Sequence, residues 1–313
     1  MAQFTIYSST DASAPVLTDA AGSLVALLDA CLVDGYGAKA AAGWTQEYTG
    51  SNKAAFKQGA GSGFYLRVQD DAPGTGAGRE ARMTGYNTMS DVDTGVNPFP
   101  TAAQGVGGVA MVVCRKNETA VGTARPWIIF ADARTVYVMI SWNSGVYGSF
   151  VFGDFYTTAA GDTSNCLIVG RAAEAGAGAA ATGERLDVFS ALNAAVTASF
   201  ISKTYGNTGA SVLLSKHGDG QNSATLNVGI QQYPNGGDGG LYLSRVRVGE
   251  SALANIRGWM RGYWHYCHAE TNMVQTGDLF SGSGDYAGRT FVCFKSGNSG
   301  IHVFETSNTV ETN

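Results

Sequence analysis

Charge is what this sequence has least of. Asp, Glu, Lys and Arg make up 14% of its 313 residues, against about 25% in ordinary soluble domains. With so few charges to keep a surface solvated, a face hidden in an assembly is expected. No Lys/Arg-rich run occurs, and the formal net charge is −5. Binding a phosphate backbone needs clustered cations, so no direct nucleic-acid contact is expected. Long hydrophobic runs are missing too. The longest apolar stretches, such as Val106–Cys114, fall short of the ~20 residues that span a bilayer, so no membrane insertion is expected. The start, Met1-Ala2-Gln3-Phe4, has no basic run leading into an apolar core. Synthesis in the cytoplasm without a signal peptide is therefore the expectation. Cysteine is sparse: the five, at 31, 114, 166, 267 and 293, include no CxxC. All but Cys267 sit in apolar stretches, so buried reduced thiols are expected rather than a disulfide framework. A repeat period of about 20–50 residues is also absent, which argues against a solenoid or propeller.

Gly is in excess, at 43 residues, about twice the usual ~7%. A chain rich in Gly and aromatics and poor in charge suits many strands joined by tight turns. One segment reads as helix: Leu24, Leu27, Leu28, Cys31 and Leu32 fall on a single stripe with helical spacing. Thr18 or Asp19 is the expected cap, and Asp34-Gly35 the expected stop. Elsewhere period two dominates, as in Phe64, Leu66 and Val68, or Val136, Val138 and Ile140 against Tyr137 and Met139. Further strands are expected at Val106–Arg115, Trp127–Phe130, Phe150–Tyr156, Cys166–Gly170, Val212–Ser215, Thr225–Ile230, Leu241–Val248, Arg289–Lys295 and Ile301–Glu305. Asn-Gly at 235–236, Asp-Gly at 219–220 and Gly-Asn at 206–207 and 297–298 supply turns between them. The predicted fold is mainly β and β-sandwich-like, as one unit or two β-domains, with one principal N-terminal helix near 20–33. The Ala/Gly-rich stretch 172–183 is a linker or a loop. It would divide a β-rich 1–171, carrying the helix, from a β-rich 184–313.

Residues that could carry chemistry are few. His265, Cys267 and His268 could offer three zinc ligands, but structural zinc takes four, and the flanking Trp259, Tyr263, Trp264 and Tyr266 point to packing. Asp132 and Arg134 sit two apart, on one face of a strand, and suit a surface pair or a pinned loop. Asp154 and Asp162 are isolated in sequence; paired glycosidase-type carboxylates would meet only in the fold. Gly59-Ala60-Gly61-Ser62-Gly63 precedes a strand instead of opening a helix, so it is not a nucleotide loop, and Gly76-Ala77-Gly78 is a turn. Asp219 and Asp238 sit in Gly-rich turns without calcium-loop spacing. Asn117-Glu118-Thr119 fits a glycosylation pattern but is read as a turn. The expectation is no catalytic residue, no metal and no cofactor. If a glycan is bound, Trp142, Tyr147, Tyr233, Tyr242 and Trp264 are the rings on which a sugar could stack.

Several stretches carry a resemblance. One runs from Ala14-Pro15-Val16-Leu17 through Leu27–Gly37 to Gly43-Trp44-Thr45. Others are Ala81–Tyr86, Met89–Gly95 and Phe99-Pro100, then Arg125-Pro126-Trp127, Asp132–Tyr137, Gly153-Asp154 and Gly161-Asp162. The last are Ile256-Arg257-Gly258-Trp259, Phe280-Ser281-Gly282, Ala287–Phe291 and Glu305–Thr309. Together they resemble a group of virion structural proteins of tailed phages and prophages. Val310 stands where that group's pattern would place a Trp. The resemblance implies a virion component, at the tail, baseplate or neck, whose partners are other virion proteins and copies of itself. Alternatives within a virion are a protein that binds a receptor or host-surface glycan, a polysaccharide-degrading hydrolase, and a capsid decoration protein. For the hydrolase, two or three acidic groups would have to meet in an aromatic-lined cleft.

Overall fold

The computed structural model describes residues 4–71, 80–105, 108–117, 122–143, 146–171, 198–207, 210–215, 241–250, 255–266, 274–296 and 300–306. The expected strand Thr225–Ile230, the stretch 172–183 and the turns at 219–220, 235–236 and 297–298 lie outside them. The protein is mainly β, with one short α-helix among the described residues.

In chain order the first half holds β1 (Thr5–Ser8), α1 (Ser23–Asp29), β2 (Thr45–Gly50), β3 (Lys53–Lys57), β4 (Tyr65–Gln69), β5 (Glu80–Tyr86), β6 (Thr88–Asp91), β7 (Thr94–Val96), β8 (Val112–Arg115), β9 (Trp127–Ala131) and β10 (Thr135–Asn143). Then come β11 (Val146–Asp154), β12 (Tyr156–Thr157), β13 (Cys166–Arg171), β14 (Ala198–Ser202), β15 (Ala210–Ser215), β16 (Leu243–Glu250), β17 (Asn255–Tyr266), β18 (Leu279–Ser281), β19 (Thr290–Ser296) and β20 (Gly300–Glu305).

The helix forms where the apolar stripe places it, and Leu24, Leu27 and Leu28 are buried. It runs on as a single π-helical stretch, Ala30–Asp34, that buries Cys31 and Leu32 and ends at Gly35. Its start differs from expectation. Gly22 takes the cap position and no side chain of Thr18 or Asp19 serves it. Asp70, 46 positions away from Leu24, does so instead: its carboxylate accepts the Leu24 N–H at 2.7 Å, and its carbonyl accepts the Gly22 N–H at 2.8 Å. A helix this short leaves most of its first N–H groups without internal partners, and the residue that follows β4 supplies a partner for one.

β2, β3, β4, β5 and β8 pair in that order, all antiparallel. A second layer follows the order β1, β9, β10, β11, β13. Between the layers lies an apolar core that takes in the helix: Leu24, Leu28, Phe56, Leu66, Met83, Ile129, Val138, Phe152 and Ile168 belong to it. The reverse face of the second layer is buried too. Phe130, Tyr137, Met139, Val151, Leu167 and Val169 pack there against Val246, Val248, Met260, Phe294 and Phe304. Alternation along β10 therefore separates two cores instead of a core from water, which is why its sequence reads as almost unbroken apolar residues. Residues from both sides of 172–183 share that second core.

Two strands lend one flank to two neighbours. β13 pairs with β11 through Cys166–Val169 and meets β8 at Arg171, opposite Val113. β17 pairs with β12 at Gly258 and Trp259 and with β20 at Tyr263–His265. Because β11 and β12 are one run bent at Phe155, the order β13, β14, β15, β16, β17 returns to where it began and closes a ring of strands. Among the described residues, no helix is long and apolar enough to cross a membrane.

Candidate functional site

The polar residues that the structure gathers lie along β17, which reads Asn255-Ile256-Arg257-Gly258-Trp259-Met260-Arg261-Gly262-Tyr263-Trp264-His265-Tyr266. Its register against β16 breaks twice, between Val248 and Gly249 and between Arg245 and Arg247. Extra residues in one strand bend it and re-aim a side chain. Both breaks fall at an Arg-Gly pair. Gly262 has φ +57°, and a Cβ there would stand 2.2 Å from the Phe4 ring, so only glycine fits this turn of the strand.

The first of these arginines, Arg257, is buried. It donates to Asp162 Oδ2 at 2.6 Å, pairs with Glu250 at 3.2 Å and bonds the Lys203 carbonyl. The Phe155 ring lies 5.1 Å from its guanidinium carbon. Asp162 has both oxygens filled: Ser164 N–H donates to Oδ1 at 3.0 Å, and Thr157 Oγ1 to Oδ2 at 2.9 Å. Arg261 is buried as well and donates to Asp132 Oδ2 at 2.6 Å. Its carbonyl accepts the Tyr137 hydroxyl at 2.7 Å. Asp132 Oδ1 accepts the N–H groups of Arg134 and Thr135, each at 2.8 Å. Of the two arrangements that the spacing of Asp132 and Arg134 suggested, the surface pair does not form and the pinned loop does, through the Arg134 and Thr135 N–H groups. Asp132 turns inward to an arginine from the far half of the chain, while the Arg134 side chain stays exposed.

Asp154 completes the group. Its Oδ1 accepts Ser62 Oγ at 2.6 Å and Gln58 Nε2 at 3.0 Å, and its Oδ2 accepts Ser62 N–H at 3.0 Å. Burial raises its pKa above the usual carboxylate value, and the Ser62 and Gln58 bonds counter part of that. The Gly59–Gly63 loop is what brings Ser62 there. Gly61 has φ +78°, and a Cβ on it would stand 1.9 Å from Asp154 Oδ2. The glycines that mimic a cofactor loop are therefore the means of closing backbone over a carboxylate.

Asp132, Asp154 and Asp162, three of the acids singled out in the sequence, lie in this buried framework. Each has both oxygens engaged by fixed donors. A carboxylate that transfers protons must reach a substrate, whereas Asp132 and Asp162 are committed to arginines of β17 and Asp154 to the loop between β3 and β4. Gln58, Ser62, Glu250 and Arg261 were not singled out. The one available signal was the Arg-Gly pair recurring four residues apart at 257–258 and 261–262.

Of the five candidate sugar-stacking rings, Trp142, Trp264 and Tyr242 have side chains that the structure describes. Trp142 is 4% exposed with the Arg115 guanidinium carbon 4.2 Å from its ring centre. Trp264 is 2% exposed, flanked by Arg245 at 5.3 Å and Arg289 at 5.8 Å, and its Nε1 donates to Glu305 at 3.3 Å. Both rings are packed inside. Tyr242 is 54% exposed. Tyr147 lies on β11 and His265 on β17, but their side chains are outside what the structure describes, as are Tyr233, Cys267, His268, Asp219 and Asp238 altogether. Neither a protein-family model nor a curated protein matches this chain.

Proposed function

We propose that this chain is a non-enzymatic structural subunit of a tailed-phage virion, placed at the tail, baseplate or neck and working beside copies of itself and other virion proteins. One observation carries the non-enzymatic part: Asp132, Asp154 and Asp162, the residues best suited to hydrolytic work, have every carboxylate oxygen engaged by a donor from the chain itself. The low charge and the stretches resembling virion structural proteins support the rest. The stretches quoted for that resemblance include Asp132, Asp154, Asp162 and Arg257, so they coincide with the internal clamps and not with an open cleft. That is the pattern of a sequence signature that maintains a shape. The test is peptide mass spectrometry on gradient-purified particles of the phage that encodes the chain, together with electron microscopy of particles labelled at its C-terminus. Stoichiometric recovery and a label at one end of the tail are expected. Absence from purified particles would overturn the proposal.

A further inference from the structure

Side chains cover part of the outer edge of β1. β1 pairs with β9, and Ser9 donates to the Trp127 carbonyl on that same side. Alternate residues of an antiparallel edge strand turn their N–H and C=O the same way, so Ile6 and Ser8 direct theirs outward. Among the described residues no strand pairs with them. Lys39 Nζ donates to the Ile6 carbonyl at 2.7 Å. Asp11 Oδ2 accepts the Ser8 N–H at 2.8 Å, and the Tyr36 hydroxyl lies 3.2 Å from the same nitrogen. The Tyr36 hydroxyl also donates to Asp11 Oδ2 at 2.8 Å, and Lys39 pairs with Asp11 at 3.5 Å.

These three side chains are held in place by their own loop. Tyr36 and Lys39 exchange backbone bonds at 3.1 and 2.8 Å. The Tyr7 hydroxyl donates to the Ala40 carbonyl at 2.7 Å. Gly37, at φ +54°, lies so close to Ala12 that a Cβ would stand 2.6 Å from its carbonyl oxygen. The edge at β2 carries a different safeguard: its register breaks between Gln46 and Tyr48, which leaves the exposed Glu47 unpaired with β3. Charged residues and bulges at an edge both hinder the addition of a foreign strand.

We propose that Asp11, Tyr36 and Lys39 form an edge guard, which occupies the Ile6 carbonyl and the Ser8 N–H on the outward side of β1 so that crowded copies meet through faces and loops and not by strand addition. The experiment uses the isolated full chain. In Asp11→Ala/Tyr36→Phe/Lys39→Ala, circular dichroism should still report a folded β protein. Sedimentation should show a mass that climbs with concentration to several times that of wild type, and amide exchange at Ile6 should slow on association. A folded triple variant with wild-type mass at every concentration would overturn the guard. So would wild-type association that itself protects Ile6. Should the triple variant unfold, Lys39→Ala alone, which uncovers only the Ile6 carbonyl, decides by the same two readouts. Absence of the chain from virions would remove the proposed function and leave this result standing.

Discussion

Replacing Lys116 with methionine tests the physical reading of the helix start. Lys116 and Asp70 form an ion pair in which both side chains are 0% exposed. Lys116 also donates to the Ala20 carbonyl at 2.9 Å and approaches Ser23 Oγ at 3.2 Å, so it ties the segment before α1 to the sheet. Methionine keeps the length and removes the charge. Asp70 is then a buried carboxylate without its cation, and breaking a buried pair in this way costs about 3–5 kcal/mol. Burial already lifts Asp70 to about 6, with Lys116 the main opposing influence. Without Lys116 it rises further. Its folded pKa then lies well above the unfolded value of ~3.9, so folding takes up a proton and the variant loses stability as pH rises through that interval. The slope approaches about 1.4 kcal/mol per pH unit where Asp70 is protonated only in the folded state. Urea unfolding followed by tryptophan fluorescence at pH 5.5 and pH 8 measures both quantities. A variant within about 1 kcal/mol of wild type at pH 8, or one with the wild-type pH dependence, would refute the argument. Asp70→Leu/Lys116→Met should recover most of the loss, short of the ~1 kcal/mol that a helix cap is worth.

Gly262→Ala places a methyl group against Phe4 at a left-handed backbone position and should lower stability by roughly 1–3 kcal/mol in thermal unfolding; a neutral result would mean that β17 does not need its second bulge. Arg261→Met strands the Asp132 carboxylate and should cost about 3–5 kcal/mol, whereas Arg134→Ala, at the exposed neighbour, should stay within about 0.5 kcal/mol in the same urea titration. Cys31, Cys114, Cys166 and Cys293 are buried thiols. Burial raises Cys166 well above the usual thiol value and pushes Cys293 up to about 12, so a thiol reagent at pH 8 should leave these four unlabelled in the native protein and modify them all in denaturant, as peptide mapping can show.

Much of the fold was legible because period two survives wherever both neighbours are regular. Val136, Val138 and Ile140 mark β10, and the stretches 127–130, 166–170 and 301–305 fall on β9, β13 and β20. β17, the longest strand among the described residues, was not singled out. Its apolar alternation is interrupted by Arg257 and Arg261, and its bulges shift the faces, so that Met260 and Tyr263 share one core despite being three apart. The helix stripe could be read locally, but its cap could not, since no local rule connects Leu24 with Asp70. The same holds for the clamps. Asp132 and Asp162 were visible as acids, but only the fold reveals arginines from far along the chain beside them. Trp142 and Trp264 looked like platforms because sequence alone does not distinguish a ring that faces solvent from one covered by guanidinium groups.

The double burial of β10 has an evolutionary consequence. A strand with one wet face has half its positions free to drift, because a polar side chain there meets only solvent. Between Val136 and Trp142 no residue exceeds 8% exposure. Neutral change therefore has no outlet along this strand: any substitution must be absorbed by one packed core or the other, and most need a compensating change in a different layer. Diversification of such a protein is channelled into outer strands and loops, whose identity can turn over completely while the middle of the molecule stays nearly fixed.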